Sequence, residues 1–82
     1  MWKKGTFMID DVMYSYEALV FDEDSRFGIN NGRISKLTIW KGGLFDFANI
    51  NEAVANYDRG WDICPRNESE RMALEYVRML YI

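Results

Sequence analysis

Histidine is absent from the 82-residue chain, and cysteine and proline occur once each. Without histidine, a His-based triad, a His metal site and a histidine general base are all excluded. The lone Cys64 has no intrachain partner for a disulfide. A single free thiol fits a reducing compartment, so the expected location is the cytoplasm. No run approaches about 18 consecutive apolar residues, so no membrane span is expected. Met1-Trp2-Lys3-Lys4-Gly5 carries two lysines but is followed by no apolar run of signal-peptide length. Long charge runs are missing too: ten basic and 13 acidic residues are dispersed, for a net charge of -3. The isoelectric point near 4.8 argues against non-specific nucleic-acid binding, which rests on phosphate neutralisation.

Aromatic residues are plentiful: five Phe, five Tyr and three Trp in a chain that is 49% hydrophobic. A chain of this size reads as a single domain, residues 1–82. It buries only about 64% of its unfolded surface, which is marginal without a disulfide or metal. Large aromatic side chains offset this, because each buries about 150–250 Å². Leftover apolar surface would call for a partner or a second copy.

Alternation places a first strand over Trp2 to Ile9, with Phe7 and Ile9 on one face and Trp2, Thr6 and Met8 on the other. Asp10-Asp11 is a turn. Val12 to Asp22 returns as an antiparallel second strand, apolar on both faces and therefore central. A loop rich in turn formers follows, with Asn31-Gly32 signalling a positive-φ site. Arg33 to Lys41 forms the third strand. Ile34, Lys36, Thr38 and Trp40 share one face, and Ser35, Leu37 and Ile39 the other. Leu44 to Ile50 reads as an excursion and Glu52 to Asp58 as the fourth strand, with Val54 opposite to Ala53, Ala55 and Tyr57. Arg59 to Ile63 is read as a bend leading out of the sheet.

The helix has the clearest signal. Asn67-x-x-Glu70 has the form of a capping box, preceded by Pro65. Met72, Ala73, Tyr76, Val77 and Leu80 recur as one apolar stripe, with Arg71, Glu75 and Arg78 opposite. The expected fold is therefore α+β. It is an antiparallel sheet of about four strands with one C-terminal amphipathic helix packed on one face, in β-β-β-β-α order. One sheet face is left uncovered, which predicts a homodimer.

No constellation of residues carries catalysis, and no cofactor or metal site is expected. The Asp22-Glu23-Asp24 group lacks EF-hand spacing and reads as a solvated turn. Ser35 and Lys36 are neighbours on a strand and point to opposite faces. Cys64 lies near a helix start, yet without histidine it reads as a buried structural thiol. The Gly28 to Gly32 loop lacks the strand–loop–helix setting of a phosphate cradle. Lys4, Lys36 and Trp40 could share an exposed face as a stacking platform with a basic rim, with Arg33 and Phe27 nearby. The alternative is that Trp40 is core and the lysines protect strands from edge pairing.

Two stretches, Gly28-Ile29-Asn30-Asn31-Gly32-Arg33-Ile34-Ser35-Lys36-Leu37 and Ala55-Asn56-Tyr57-Asp58-Arg59-Gly60-Trp61-Asp62-Ile63, resemble a family of short proteins of unknown function. That family occurs in phages, prophages and mobile elements of Firmicutes, and Tyr-Asp-Arg-Gly-Trp-Asp is the specific part. The resemblance implies a host-cell cytoplasmic setting and a binding role, with no activity to carry over. Asp58, Arg59 and Asp62 could form a local ion-pair and cap arrangement with Trp61 under the helix. Alternatively Arg59 and Trp61 are exposed anchors, since Trp and Arg dominate interface hot spots. The expected function is a non-enzymatic protein-binding accessory factor of phage or mobile-element type, its most concrete form being an inhibitor of a host defence system such as a CRISPR effector. A small single-stranded nucleic-acid binder is the alternative. The candidate binding residues are Arg59, Trp61, Trp40, Lys36, Arg33 and Phe27.

Overall fold

A computed structural model describes residues 1–42 and 53–81 of the chain. The expected excursion at Leu44 to Ile50 lies outside them. Among the described residues, five antiparallel strands form one sheet: β1 (Trp2–Ile9), β2 (Val12–Val20), β3 (Ile34–Lys41), β4 (Ala53–Asp58) and β5 (Trp61–Ile63). Their order in the sheet is their order in the chain. A short 3-10 turn (Ile29–Asn31) interrupts the β2–β3 connection, and one helix, α1 (Glu68–Leu80), closes the fold. The architecture is α+β, with five strands where the sequence suggested about four. The extra strand is β5: the expected bend is instead a tight turn at Arg59-Gly60, where Arg59 has φ 59, and Trp61 returns to pair with Tyr57.

The β1–β2 hairpin follows from its two aspartates. Asp10 and Asp11 both adopt positive φ (49 and 65), which supplies the twist that a two-residue turn needs. The resulting register sets Phe7 opposite Tyr14 and Gly5 opposite Tyr16. Gly5 makes room for the Tyr16 ring, since a Cβ there would meet Tyr16 Cε1 at 3.0 Å.

The core lies between the sheet and α1. It gathers Phe7, Tyr14, Tyr16, Ala18, Val20, Ile34, Leu37, Ile39, Val54, Ala55 and Tyr57 with Ala73 and Val77 of the helix. Two irregularities decide membership. The β2–β3 register slips between Leu19 and Val20, so Ser35 is passed over and Ile34 pairs with Val20. Ile34 therefore joins the face of Leu37 and Ile39 rather than that of Lys36 and Thr38. The β3–β4 register slips between Ile39 and Trp40, which passes over Val54. Val54 accordingly joins the core with Ala55, while Ala53 pairs with Trp40 across the other face. A bulge adds one residue and inverts the alternation beyond it.

Tyrosine hydroxyls tie the helix to the sheet. Tyr14 Oη lies 2.8 Å from Ser69 Oγ, and Tyr16 Oη lies 2.6 Å from Tyr81 Oη. Asn67 is the N-cap: its Oδ1 accepts from Glu70 N at 2.8 Å. Glu70 reaches back to accept from Arg66 N at 2.9 Å, one residue before the position a standard capping box uses. Asp62 is not the cap.

The helix is rotated relative to its expected stripe. Glu70, Ala73 and Val77 are buried, and Leu74 and Tyr81 pack against the core. Met72, Tyr76, Met79 and Leu80 are left 42–66% exposed. Tyr76 is not idle, since its ring stacks on Phe7 of β1 at 4.4 Å between centroids.

The sheet face opposite α1 is more polar than alternation alone suggests, and it buries Ser15, Trp40 and Ala53 at its far end. Its central row runs Lys4, Glu17, Thr38 and Asn56 across four strands. Trp2, Met8 and Met13 lie at its β1–β2 side.

Candidate functional site

The meander brings the start of β1, the end of β2, the start of β3, the end of β4 and the start of β5 to one end of the sheet. A cross-strand row, Trp2–Leu19–Lys36–Asp58, marks this end. Lys36 Nζ lies 3.8 Å from Asp58 Oδ1, a partly exposed pair that contributes little to stability. Tyr57 is the hub. Its ring meets Trp61 edge-on at 5.1 Å between centroids, and its hydroxyl donates to the Phe27 carbonyl at 2.8 Å. The strand end thereby fixes both Trp61 and the loop carrying Phe27.

Four large aromatics are exposed at this end: Trp2 (52%), Phe21 (45%), Phe27 (52%) and Trp61 (39%). Basic groups stand among them. The Arg26 guanidinium lies 4.9 Å above the Phe27 ring, Arg33 Nε donates to the Phe21 carbonyl at 2.8 Å, and Arg59 occupies the exposed turn. Gly28 anchors the loop. A Cβ there would sit 2.1 Å from the Gly32 carbonyl oxygen, so the two backbone segments touch only because Gly28 has no side chain. The positive φ expected at Asn31-Gly32 is taken by Asn30 (52) and Asn31 (60), while Gly32 is extended. Asparagine tolerates this region because its side chain is short and polar.

Two concavities open beside this rim. One of about 330 Å³ lies on the helix side, between Asn30, Asn31, Arg33, Asp24, Arg78 and Tyr81. The other, about 190 Å³, lies on the sheet face opposite α1, beside Trp2, Glu17, Lys36, Thr38, Asn56 and Asp58. The burial of Tyr16, and then its bond to Tyr81, push its phenol well above the ordinary value, so it stays neutral at any physiological pH.

Of the sequence candidates, Arg59, Trp61, Lys36, Arg33 and Phe27 all lie at this rim. Trp40 does not. It sits at the far end of β3 and is 4% exposed, so it offers no stacking surface, and the platform of Lys4, Lys36 and Trp40 does not form around it. Trp61 lies at the sheet edge against Tyr57 and is more than a third exposed, rather than sealed under the helix. Asp58 pairs with Lys36 instead of closing a ring with Arg59 and Asp62. Cys64 is exposed, not buried, because β5 ends at Ile63 and the chain leaves the sheet there. Trp2 and Phe21 are the rim residues that the sequence reading left out. The hairpin register implied by Asp10-Asp11 already sets Trp2 opposite Leu19, beside Phe21. Among the described residues, no three carboxylate or thiol side chains gather to hold a metal ion, and no helix is long and apolar enough to cross a membrane.

No curated protein and no solved structure matches this chain. One protein family does, over residues 1–81, and its span takes in every strand, the rim and the helix. The chain thus belongs to the family described as Domain of unknown function (DUF7678).

Proposed function

We propose that the protein is a non-enzymatic protein-binding factor that engages its partner through the rim formed by Trp2, Phe27, Arg59 and Trp61. The observation that carries this reading is the exposure of four large aromatics among arginines at one end of a rigid sheet. Trp, Tyr and Arg dominate interface hot spots because they bring large contact area and a polar handle together. The Tyr57 hydrogen bond and ring contact hold Phe27 and Trp61 in place before binding, which lowers the ordering cost of association.

Charge favours a protein over a nucleic-acid partner. The rim segments carry five basic residues, Lys3, Arg26, Arg33, Lys36 and Arg59, against five acidic ones, Asp22, Glu23, Asp24, Asp58 and Asp62. Phosphate recognition calls for an excess of positive charge, which these segments lack. The resemblance to phage and mobile-element proteins supports an accessory role in a host cell, its most concrete form being inhibition of a host defence system such as a CRISPR effector.

The test is affinity capture of the tagged chain from a candidate host, run in parallel with Trp61→Ala and Arg59→Ala. A partner held by the rim is retained by the parent chain and lost with either variant, since hot-spot truncation costs about 2–4 kcal/mol. Equal recovery on all three chains refutes the rim as the binding surface. Salt-sensitive recovery of an oligonucleotide instead of a protein refutes the reading itself.

A further inference from the structure

We infer that β1 is a self-association edge, and that two copies of this chain join antiparallel through it across a two-fold axis centred on Phe7. β1 stands at the edge of the sheet with eight residues and no proline. Such a strand is a template for pairing unless something blunts it.

The backbone fixes which groups face outward. Met1 and Val20 exchange both hydrogen bonds, Met1 N to Val20 O at 2.8 Å and Val20 N to Met1 O at 2.9 Å. The antiparallel alternation then turns the N–H and C=O groups of Lys3, Gly5 and Phe7 toward β2. Those of Trp2, Lys4, Thr6 and Met8 point away from the sheet. Only registers that set one outward residue opposite another allow a second copy to pair.

Charge selects among those registers. Lys3-Lys4 lie near the start of the strand, and Asp10-Asp11 form the turn at its end. Setting Phe7 opposite Phe7 of the second copy places Thr6 opposite Met8 and brings Lys3 and Lys4 of each copy to the Asp10-Asp11 turn of the other. A register centred on Thr6 moves Lys3 and Lys4 opposite Ile9 and Met8, away from the acidic turn of the second copy.

The Phe7-centred register also brings the helix flank to the axis. Tyr76 is stacked on Phe7 at 4.4 Å and is 42% exposed, so its ring stands beside the two-fold while Phe7 stays in the core. The exposed Met72, Met79 and Leu80 extend the same flank of α1. The result is an isologous contact, in which one patch serves both partners. It lies at the sheet edge, not on the face opposite α1, whose central row is polar.

Sedimentation equilibrium of the full chain at micromolar concentrations tests this. The parent chain should sediment with twice the chain mass. Thr6→Pro removes an outward N–H without touching a β1–β2 hydrogen bond and should sediment with the mass of one chain. Lys3→Glu with Lys4→Glu should do the same. Mixing that double variant with a chain carrying Asp10→Lys and Asp11→Lys should restore the doubled mass, because residues 3 and 4 of each copy again face a turn of opposite charge. Circular dichroism confirms that each variant is folded. The aspartate variant strains a positive-φ turn, so Thr6→Pro, which leaves the turn intact, serves as the independent check. A parent chain of single mass throughout the range, or a folded Thr6→Pro chain that keeps the doubled mass, overturns the inference.

Discussion

Tyr57 reaches from the core to the rim: its hydroxyl donates to the carbonyl of Phe27, 30 residues earlier in the chain, at 2.8 Å. The same side chain is 8% exposed and stacks edge-on with Trp61. One residue thus couples the folded sheet to two candidate contact residues.

Replacing Tyr57 with Phe keeps the ring packing and removes the hydroxyl. The Phe27 carbonyl loses its partner, and stability should fall by about 1 kcal/mol. Thermal denaturation measures this. Hydrogen exchange at residues 25–32 should accelerate more than exchange in β2, because the bond ties the loop and not the strand. A uniform acceleration would show that the bond does not hold the loop.

Gly28→Ala should be more damaging. The added Cβ would meet a backbone oxygen at 2.1 Å, and neither segment can yield without opening the Ser25–Gly32 hydrogen bond at 3.0 Å. Overpacking of this kind costs about 1–3 kcal/mol or more. Denaturant unfolding should place the variant below Tyr57→Phe in stability.

Asn67→Ala removes the helix N-cap and exposes the Glu70 N–H that it satisfies. The expected loss is about 1 kcal/mol, or roughly 4–8 °C in melting temperature for a domain of this size. Asn67→Asp should retain most of the stability, since a carboxylate accepts the same bond and suits the positive end of the helix dipole.

Tyr16 should contribute to the loss of stability at alkaline pH. Burial and the bond to Tyr81 raise its pKa in the folded chain, whereas the unfolded side chain titrates near its ordinary value. The unfolded state therefore loses this proton first as pH rises. The contribution of Tyr16 is fully present below about pH 10 and declines above it. Tyr16→Phe should flatten that part of the stability–pH curve while leaving the acid limb unchanged. An identical alkaline slope in the variant would assign the loss to other groups.

Much of this fold is legible in the sequence because most strands obey a period of two. Phe7, Tyr14, Tyr16, Ala18, Leu37 and Ile39 fall on the core face as alternation places them. The departures sit at register slips. Passing over Ser35 and Val54 inverts the faces of Ile34 and Val54, and nothing in local composition marks either site. β5 escapes notice because three residues, Trp61 to Ile63, are too few to display a period.

The helix shows the limit of periodicity differently. Its apolar residues spread over more than one face, so Met72, Tyr76 and Leu80 score as well as Ala73 and Val77. What selects Ala73 is size: a small side chain lets the helix backbone approach β1, β3 and β4. The rim itself is legible residue by residue, through Arg33, Lys36, Arg59 and Trp61, but its assembly depends on strand register. Trp40 shares their chemistry and lies at the wrong end.

The chain-ordered meander has a consequence during synthesis. Each strand can pair with its predecessor as soon as it emerges, so the sheet assembles from neighbouring segments and incurs little loop-closure entropy. The helix follows all five strands, and its bonds to Tyr14 and Tyr16 span 55 and 65 residues. Until α1 leaves the ribosome, Phe7, Tyr14, Tyr16, Leu37 and Ile39 line a bare apolar face. A nascent chain paused ahead of the helix is therefore the species most exposed to chaperones, proteases and aggregation.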